Sequence, residues 1–262
     1  MVTGLERNSV RLVFEERGQG QPPLLMIHAW AANRTFFQPQ LEHFGRSHRV
    51  VAVDLRGHGE SDKPVLDYAV ATFADDLAWL CGELALSRSV LVGHSMGGII
   101  ALELAASRPD LACAIVAVDS PLLPSPDLAG PAQSLLRGMQ SPMFREVTRE
   151  FQGQFVGFAA DPTQRAGVLD TLASGEQHVM APTLESVFAY DAAPSLTACM
   201  IPLLYVASVA PSAGFTDLGR VRELCPHLVV EEIGGAGHFV TLEAPEQLNA
   251  AIDRFLDSLR AI

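Results

Sequence analysis

Two segments of the sequence carry residue types that could act together as a nucleophile and a base. The apolar run SVLVG at 89–93 leads into the stretch GHSMGG, which holds Ser95, and an apolar helical pattern follows. A G-x-S-x-G sequence between a strand and a helix lifts the serine hydroxyl above a sheet, at a helix N-terminus that favours developing negative charge. His238 follows LVVEEIGGAG, a strand-like run that enters a glycine-rich loop. These patterns predict Ser95 as the nucleophile and His238 as its general base.

The base needs a carboxylate to hold one imidazole nitrogen, and the sequence offers two candidates. Asp217 is the first acid after the apolar run at 202–208, but it stands at the start of the helical pattern FTDLGRVREL, where an N-terminal helix charge is typical. Asp119 ends the run AIVAVD, and the carboxyl ends of parallel strands line one edge of a sheet. Asp119 is therefore the predicted acid. A turn residue that caps the following Ser120 is the alternative interpretation.

The segments that must position these residues alternate between strand-like and helical patterns. Helical patterns cover 71–84 and 98–107. Apolar runs that could be buried on both faces, as a parallel sheet requires, occur at 23–28, 49–54, 89–93, 114–119 and 202–208. The alternation predicts an α/β fold with a doubly wound, mostly parallel sheet.

One long segment interrupts this alternation. From 121 to 198 the chain changes to a proline-rich stretch and then to several short helical patterns rich in Met and Phe. We expect this segment to be a small helical cap inserted into a core of residues 1–120 and 199–262. An apolar pocket under the cap is expected to include Trp30, Phe144, Phe188 and Phe239, although the same side chains could be the core between cap helices.

Three further motifs accompany the serine stretch in chain order: HAW at 28–30, DLRGHGES at 54–61 and GGAGHF at 234–239. With them the chain resembles the α/β-hydrolase-fold superfamily, of the esterase and lactonase type. The resemblance implies an oxyanion hole formed by the backbone N–H groups of Trp30 and Met96. Ala29 stands where the family usually has Gly, which narrows the approach to the hole without removing an N–H.

The resemblance also bears on the acid and on the activity. The family usually carries its acid in the loop after the 202–208 run, whereas some relatives, including lactonases and cofactor-independent dioxygenases, place it at the position of Asp119. The leading hypothesis is a serine hydrolase that cleaves a carboxylic ester or lactone of a small, largely apolar molecule and needs no cofactor. A cofactor-independent dioxygenase acting on a 3-hydroxy-4-quinolone-like compound is one alternative. A non-catalytic receptor for a small ligand is the other.

Composition excludes several classes of partner. The net charge is -12, which repels phosphate backbones, and no apolar run approaches the length of a membrane span. The four cysteines are widely separated and no H-E-x-x-H or paired C-x-x-C motif occurs, so we expect buried thiols in a reducing compartment and no metal. The expectation is a cytoplasmic monomer or homodimer that binds neither nucleic acid nor membrane.

Overall fold

The computed structural model describes residues 2–124, 129–157, 161–209 and 216–260. All the strands in these ranges belong to one sheet. The strands are β1 (Val2–Arg7), β2 (Val10–Arg17), β3 (Leu24–Ile27), β4 (Val50–Val53), β5 (Ser89–His94), β6 (Ala112–Val118), β7 (Leu203–Ser208) and β8 (Val229–Ile233). Their order across the sheet is β1-β2-β4-β3-β5-β6-β7-β8. The first two pairings, β1 with β2 and β2 with β4, are antiparallel, and all the others are parallel.

The burial of the strands explains which of them the sequence predicts. The five apolar runs correspond to β3, β4, β5, β6 and β7, and the residues of β3, β4 and β5 are buried along their whole length. The predicted α/β class with a doubly wound, mostly parallel sheet is confirmed. The antiparallel pair β1 and β2 was not predicted, because half-exposed strands such as RLVFEER mix charged with apolar residues.

Helices cover both faces of this sheet. The core helices are α1 (Gln38–Phe44), α2 (Val70–Glu83), α3 (Met96–Ser107), α9 (Leu218–Leu224), α10 (Val240–Glu243) and α11 (Pro245–Leu259), with a 3-10 turn at Arg34–Phe37. The face covered by α1 and α11 has its own hydrophobic cluster, separate from the cluster on the face of α2 and α3. Within the described ranges, no helix is long and apolar enough to cross a membrane.

The described part of the chain between β6 and β7, in the segment expected to form a cap, contains five helices: α4 (Ala129–Met139), α5 (Phe144–Gly153), α6 (Pro162–Ala173), α7 (Gln177–Ala189) and α8 (Ala193–Ala198). Their buried side chains, such as Met139 and Leu172, belong to the same hydrophobic cluster as Phe73 and Ile99 of the core helices. These helices therefore share a core with one face of the sheet. The division of the chain at residues 121 and 198 stays a prediction.

The motif DLRGHGES forms a buried turn around the carboxylate of Asp54. This carboxylate is fully buried and accepts hydrogen bonds from the backbone N–H groups of Arg34 (2.7 Å) and Glu60 (2.9 Å), and it also pairs with the Arg34 guanidinium. Gly59 has a φ of +53°, and a Cβ there would lie 2.3 Å from the carboxyl carbon of Asp54. The Asp54 carboxylate thus bonds the segment after β4 to the 3-10 turn that follows β3.

Candidate active site

Ser95 stands at a sharp turn between β5 and α3. Its φ of +54° and ψ of -118° lie in a region that residues other than glycine rarely adopt. Gly93 and Gly97 make the turn possible, because a Cβ on them would lie 2.2 Å from the carbonyl oxygen of Gly97 and 2.0 Å from that of Ile27, respectively. The backbone N–H of Ser95 donates to Val118 O at 2.8 Å, which ties the turn to the end of β6. The hydroxyl is thereby presented at the carboxyl edge of the sheet.

Asp119 follows β6 at the same edge and contacts the predicted base. It is 3% exposed, and its Oδ2 lies 2.7 Å from Nδ1 of His238. Ser208 at the end of β7 donates to the same carboxylate twice, from its backbone N–H to Oδ1 (3.2 Å) and from its hydroxyl to Oδ2 (3.1 Å). Since a carboxylate only accepts hydrogen bonds, Nδ1 of the imidazole is the protonated nitrogen. The φ of Asp119 is +45°, a second strained backbone position at this edge.

Asp217, the other candidate acid, has a different role. It is the N-cap residue of α9, and its Oδ1 accepts a hydrogen bond of 3.0 Å from the backbone N–H of Arg220. A side-chain oxygen at this position satisfies a helix N–H that would otherwise lack a partner. Asp217 is therefore a helix cap, as its place at the start of FTDLGRVREL predicts.

The loop that carries His238 is fastened to the segment after α5. The backbone N–H of His238 donates to Phe155 O at 2.9 Å. Glu243, in α10, accepts from the backbone N–H of Gly237 at 2.7 Å and from that of Gly157 at 3.1 Å. One carboxylate thus joins the histidine loop to the chain between α5 and α6. This contact fixes the imidazole relative to the helices that cover the site.

Three other histidines near the site stay neutral at physiological pH. Burial lowers the pKa of His28 to about 4 and that of His58 to about 3. Burial, with a further contribution from the neighbouring His238, holds the pKa of His94 well below its ordinary value. His94 donates from Nε2 to the carbonyl oxygen of His238 at 2.8 Å, and the two ring centroids are 4.8 Å apart. His94 is thus a neutral support beneath the imidazole of His238.

The two predicted oxyanion residues line the same cavity as Ser95. Met96 is the first residue of α3, and Trp30 lies in the turn after β3. In the backbone hydrogen-bond network of the described residues, neither N–H donates to a backbone acceptor. The indole of Trp30 is buried and donates from Nε1 to Met180 O of α7 at 3.0 Å. The predicted oxyanion segment is thus anchored to the helices above the site.

A cavity of about 730 Å³ opens between the sheet edge and helices α4, α5 and α7, and both Ser95 and His238 line it. This volume is in the range of small-molecule sites. Its walls are mostly apolar, and they include Ala29, Met96, Leu135, Phe151, Phe155 and Phe239.

Three of the four residues expected in the pocket line this cavity, namely Trp30, Phe188 and Phe239. Phe144 is a correction to the expectation, because it does not belong to the cavity lining. Phe144 begins α5, where its ring packs against the hydrophobic cluster and lies 4.9 Å from the guanidinium carbon of Arg145. An aromatic residue in a helical pattern does not reveal which face of its helix meets the cavity.

The sequence patterns do not predict Ser208 or Glu243, two polar residues that support the site. Ser208 carried a signal, because it ends a strand next to the strand of Asp119, and adjacent parallel strand ends meet at one edge. Glu243 carried none, because it supports the histidine loop only through contacts with Gly157 that depend on the packing of the covering helices.

Comparisons with known proteins identify the family of this chain and its relatives. A family model described as alpha/beta hydrolase fold matches residues 22–173. The 2-(acetamidomethylene)succinate hydrolase of Mesorhizobium japonicum is 31% identical in an alignment 263 residues long. The alignment covers 95% of this chain and 92% of that protein. The 3-oxoadipate enol-lactonase 2 of Acinetobacter baylyi is 25% identical over 95% of this chain and 94% of its own. A thermophilic esterase from Thermogutta terrifontis, solved with malate bound, has a TM-score of 0.85 and 25% identity over 99% of both chains.

The hydroxyl of Ser208 is expected to act as a positioning group for Asp119. Ser208→Ala removes one hydrogen bond to a buried carboxylate, and hydrogen bonds to charged groups contribute about 1.5 kcal/mol or more, so kcat for p-nitrophenyl butyrate should fall about 10-fold. KM should stay unchanged, because Ser208 does not line the cavity. Steady-state kinetics of the purified variant measure both constants.

Ser208→Thr, which keeps the hydroxyl, should retain most of the activity. Ser107→Ala is the matched control, because Ser107 ends α3 at the surface and its hydroxyl contacts only its own helix. An unchanged kcat in Ser208→Ala, or a loss that appears only in KM, would show that the hydroxyl does not position the acid.

Proposed function

The chain belongs to the alpha/beta hydrolase fold family, and we propose that it is a serine hydrolase of that family. It cleaves a carboxylic ester or lactone of a small, uncharged, largely apolar molecule. Its relatives include hydrolases and an esterase. The observation that carries the proposal is the buried contact of 2.7 Å between His238 Nδ1 and Asp119 Oδ2, beside a strained serine turn at the same cavity. This arrangement is what an activated serine requires.

In the proposed mechanism Ser95 attacks the carbonyl carbon while Nε2 of His238 takes the hydroxyl proton. Asp119 keeps the proton of the imidazole on Nδ1 and stabilises the imidazolium as it forms. The backbone N–H groups of Trp30 and Met96 stabilise the oxyanion, a contribution commonly worth about 3 kcal/mol per donor. His238 then returns the proton to the leaving alcohol, and water, deprotonated by the same base, releases the acid from Ser95.

The charge of the cavity supports an uncharged substrate. Among the described lining residues Glu150 carries a negative charge, and neither Lys nor Arg contributes. The internal segments outside the described ranges, 125–128, 158–160 and 210–215, contain neither Lys nor Arg. A substrate carboxylate would lose its hydration in this cavity without gaining a countercharge, which costs several kcal/mol.

This property separates the chain from the succinate hydrolase that it resembles. The relative from Mesorhizobium japonicum is named for a succinate, which has two carboxylates. The described lining of the cavity in this chain contains neither Lys nor Arg that could pair with a carboxylate. The apolar rings of Phe151, Phe155 and Phe239 favour instead an acyl or aromatic group without charge. We therefore extend hydrolysis, the reaction that the relative is named for, to this chain, but not the relative's substrate.

The roles of the two acids can be separated by hydrolysis of p-nitrophenyl butyrate, followed by absorbance. Ser95→Ala should reduce turnover to background, and Asp119→Asn should reduce kcat by about 10⁴-fold, because the amide no longer holds the required tautomer of His238. Asp217→Asn should keep at least about half of the activity, since Asn caps a helix as well as Asp does.

The proposal fails if wild-type protein is inactive towards a panel of esters and lactones, or if Ser95→Ala retains turnover. Oxygen uptake with a 3-hydroxy-4-quinolone would then favour the dioxygenase alternative. Equal losses in Asp119→Asn and Asp217→Asn would contradict the assignment of the acid.

The charge argument predicts a difference between two substrates with acyl chains of equal length. Mono-p-nitrophenyl succinate should have a kcat/KM about 100-fold below that of p-nitrophenyl butyrate, because its terminal carboxylate enters a cavity without a cation. Glu150→Gln should narrow this gap, whereas Glu146→Gln, on the same helix but outside the lining, should not. Equal rates for the two esters in wild-type protein would contradict an uncharged substrate.

A further inference from the structure

A second cluster of reactive side chains lies away from the cavity, where Cys199, Cys225 and His227 converge. One ligand atom from each residue lies within 4.8 Å of those of the other two. Cys225 Sγ is 3.4 Å from His227 Nε2, and Cys199 Sγ lies within 4.8 Å of the ligand atom of each. The Ile201 carbonyl oxygen accepts from Cys199 Sγ (3.6 Å) and from His227 Nε2 (2.9 Å). Four polar atoms therefore surround one small volume.

The local fold creates this convergence from residues far apart in sequence. Cys199 is the C-cap of α8 and Cys225 is the C-cap of α9, and these two helices pack against each other. After Cys225 the chain turns, with the backbone N–H of Leu228 donating to Cys225 O at 3.0 Å, and this turn places His227 beside the thiols. Both cysteines are buried and the histidine is exposed, so the cluster is open to solvent on the side of the imidazole.

We propose that Cys199, Cys225 and His227 form a binding site for Zn²⁺, with the Ile201 carbonyl oxygen or a water as the fourth ligand. Zinc prefers sulfur and imidazole ligands in a tetrahedron, with Zn–S near 2.3 Å and Zn–N near 2.0 Å, which separates a sulfur from a nitrogen by about 3.5 Å. The separation of Cys225 Sγ and His227 Nε2 is 3.4 Å. This pair is therefore already spaced as zinc ligands, and Cys199 Sγ lies within 4.8 Å of both atoms.

The charge balance of such a site suits its burial. On binding, both thiols release their protons to solvent, and the imidazole carries its proton on Nδ1 so that Nε2 can bind the ion. Two thiolates neutralise the charge of Zn²⁺, so no net charge is buried beneath the surface. The ion takes the place of the protons that now link these atoms to each other and to the Ile201 carbonyl oxygen.

The position of the site indicates a structural role. Cys199 and Cys225 precede β7 and β8, at the amino edge of the sheet, whereas Ser208 and Asp119 lie at the carboxyl edge. The six residues of β7 separate the two edges by about 20 Å. A bound ion would join the end of the inserted helices to the α9–β8 segment and should raise the melting temperature without changing kcat. The proposal does not depend on the proposed hydrolase activity.

Cobalt, which takes the same tetrahedral ligands as zinc and absorbs visible light, is the probe for the test. Full-length protein is treated with a chelator, reduced with a thiol-free phosphine and titrated with Co²⁺. We expect the visible bands of tetrahedral, thiolate-bound Co²⁺ to saturate at one equivalent and to disappear when Zn²⁺ is added. Zn²⁺ should also raise the melting temperature of the protein.

Two variants and one control make the outcome specific. His227→Ala, at an exposed position, should weaken Co²⁺ binding at least 10-fold and remove the thermal shift, and Cys225→Ser should abolish the thiolate bands. Cys113→Ser, a cysteine in β6 outside the cluster, should behave as wild type. The proposal is overturned if reduced protein shows no thiolate-bound Co²⁺, even if an air-oxidised sample forms a Cys199–Cys225 disulfide. It is also overturned if the bands persist in both cluster variants.

Discussion

The buried carboxylate of Asp119 is the constraint on which the arrangement of the site depends. A carboxylate withdrawn from water is unfavourable by several kcal/mol unless donors surround it. Here the donors come from two other elements, since Ser208 at the end of β7 supplies two and His238 supplies one. Three segments that are distant in the chain are therefore fixed around one group. The same contacts hold Asp119 at a positive φ, a strain of about 1–3 kcal/mol.

The helices between β6 and β7 cover the site, and hydrogen bonds also join their segment to the predicted site residues. The indole of Trp30 donates to Met180 O, and the backbone of His238 donates to Phe155 O, so both the predicted oxyanion segment and the predicted base are bonded to the segment between β6 and β7. Glu243 adds a further link. Because these helices also share one hydrophobic cluster with the sheet, the walls of the cavity and the reactive groups form one packed body. Such support is what keeps reacting groups in a productive geometry.

The sequence predicts those features that depend on local pattern, and it fails where the features depend on packing. Apolar runs gave β3 to β7, and Ser95, Asp119 and His238 could be chosen because each ends a strand or follows a glycine-rich loop. Periodicity could not show that Phe144 does not line the cavity. Nor could spacing reveal the cluster of Cys199, Cys225 and His227, because it depends on the contact between α8 and α9.

Labelling with a fluorophosphonate tests most directly whether Ser95 is a nucleophile activated by the His238–Asp119 pair. Intact-mass spectrometry and peptide mapping should show a single adduct, located on Ser95, and the labelling rate should fall about 1000-fold in Asp119→Asn while Asp217→Asn labels as wild type does. No adduct, an adduct on another residue, or an undiminished rate in Asp119→Asn would contradict the account.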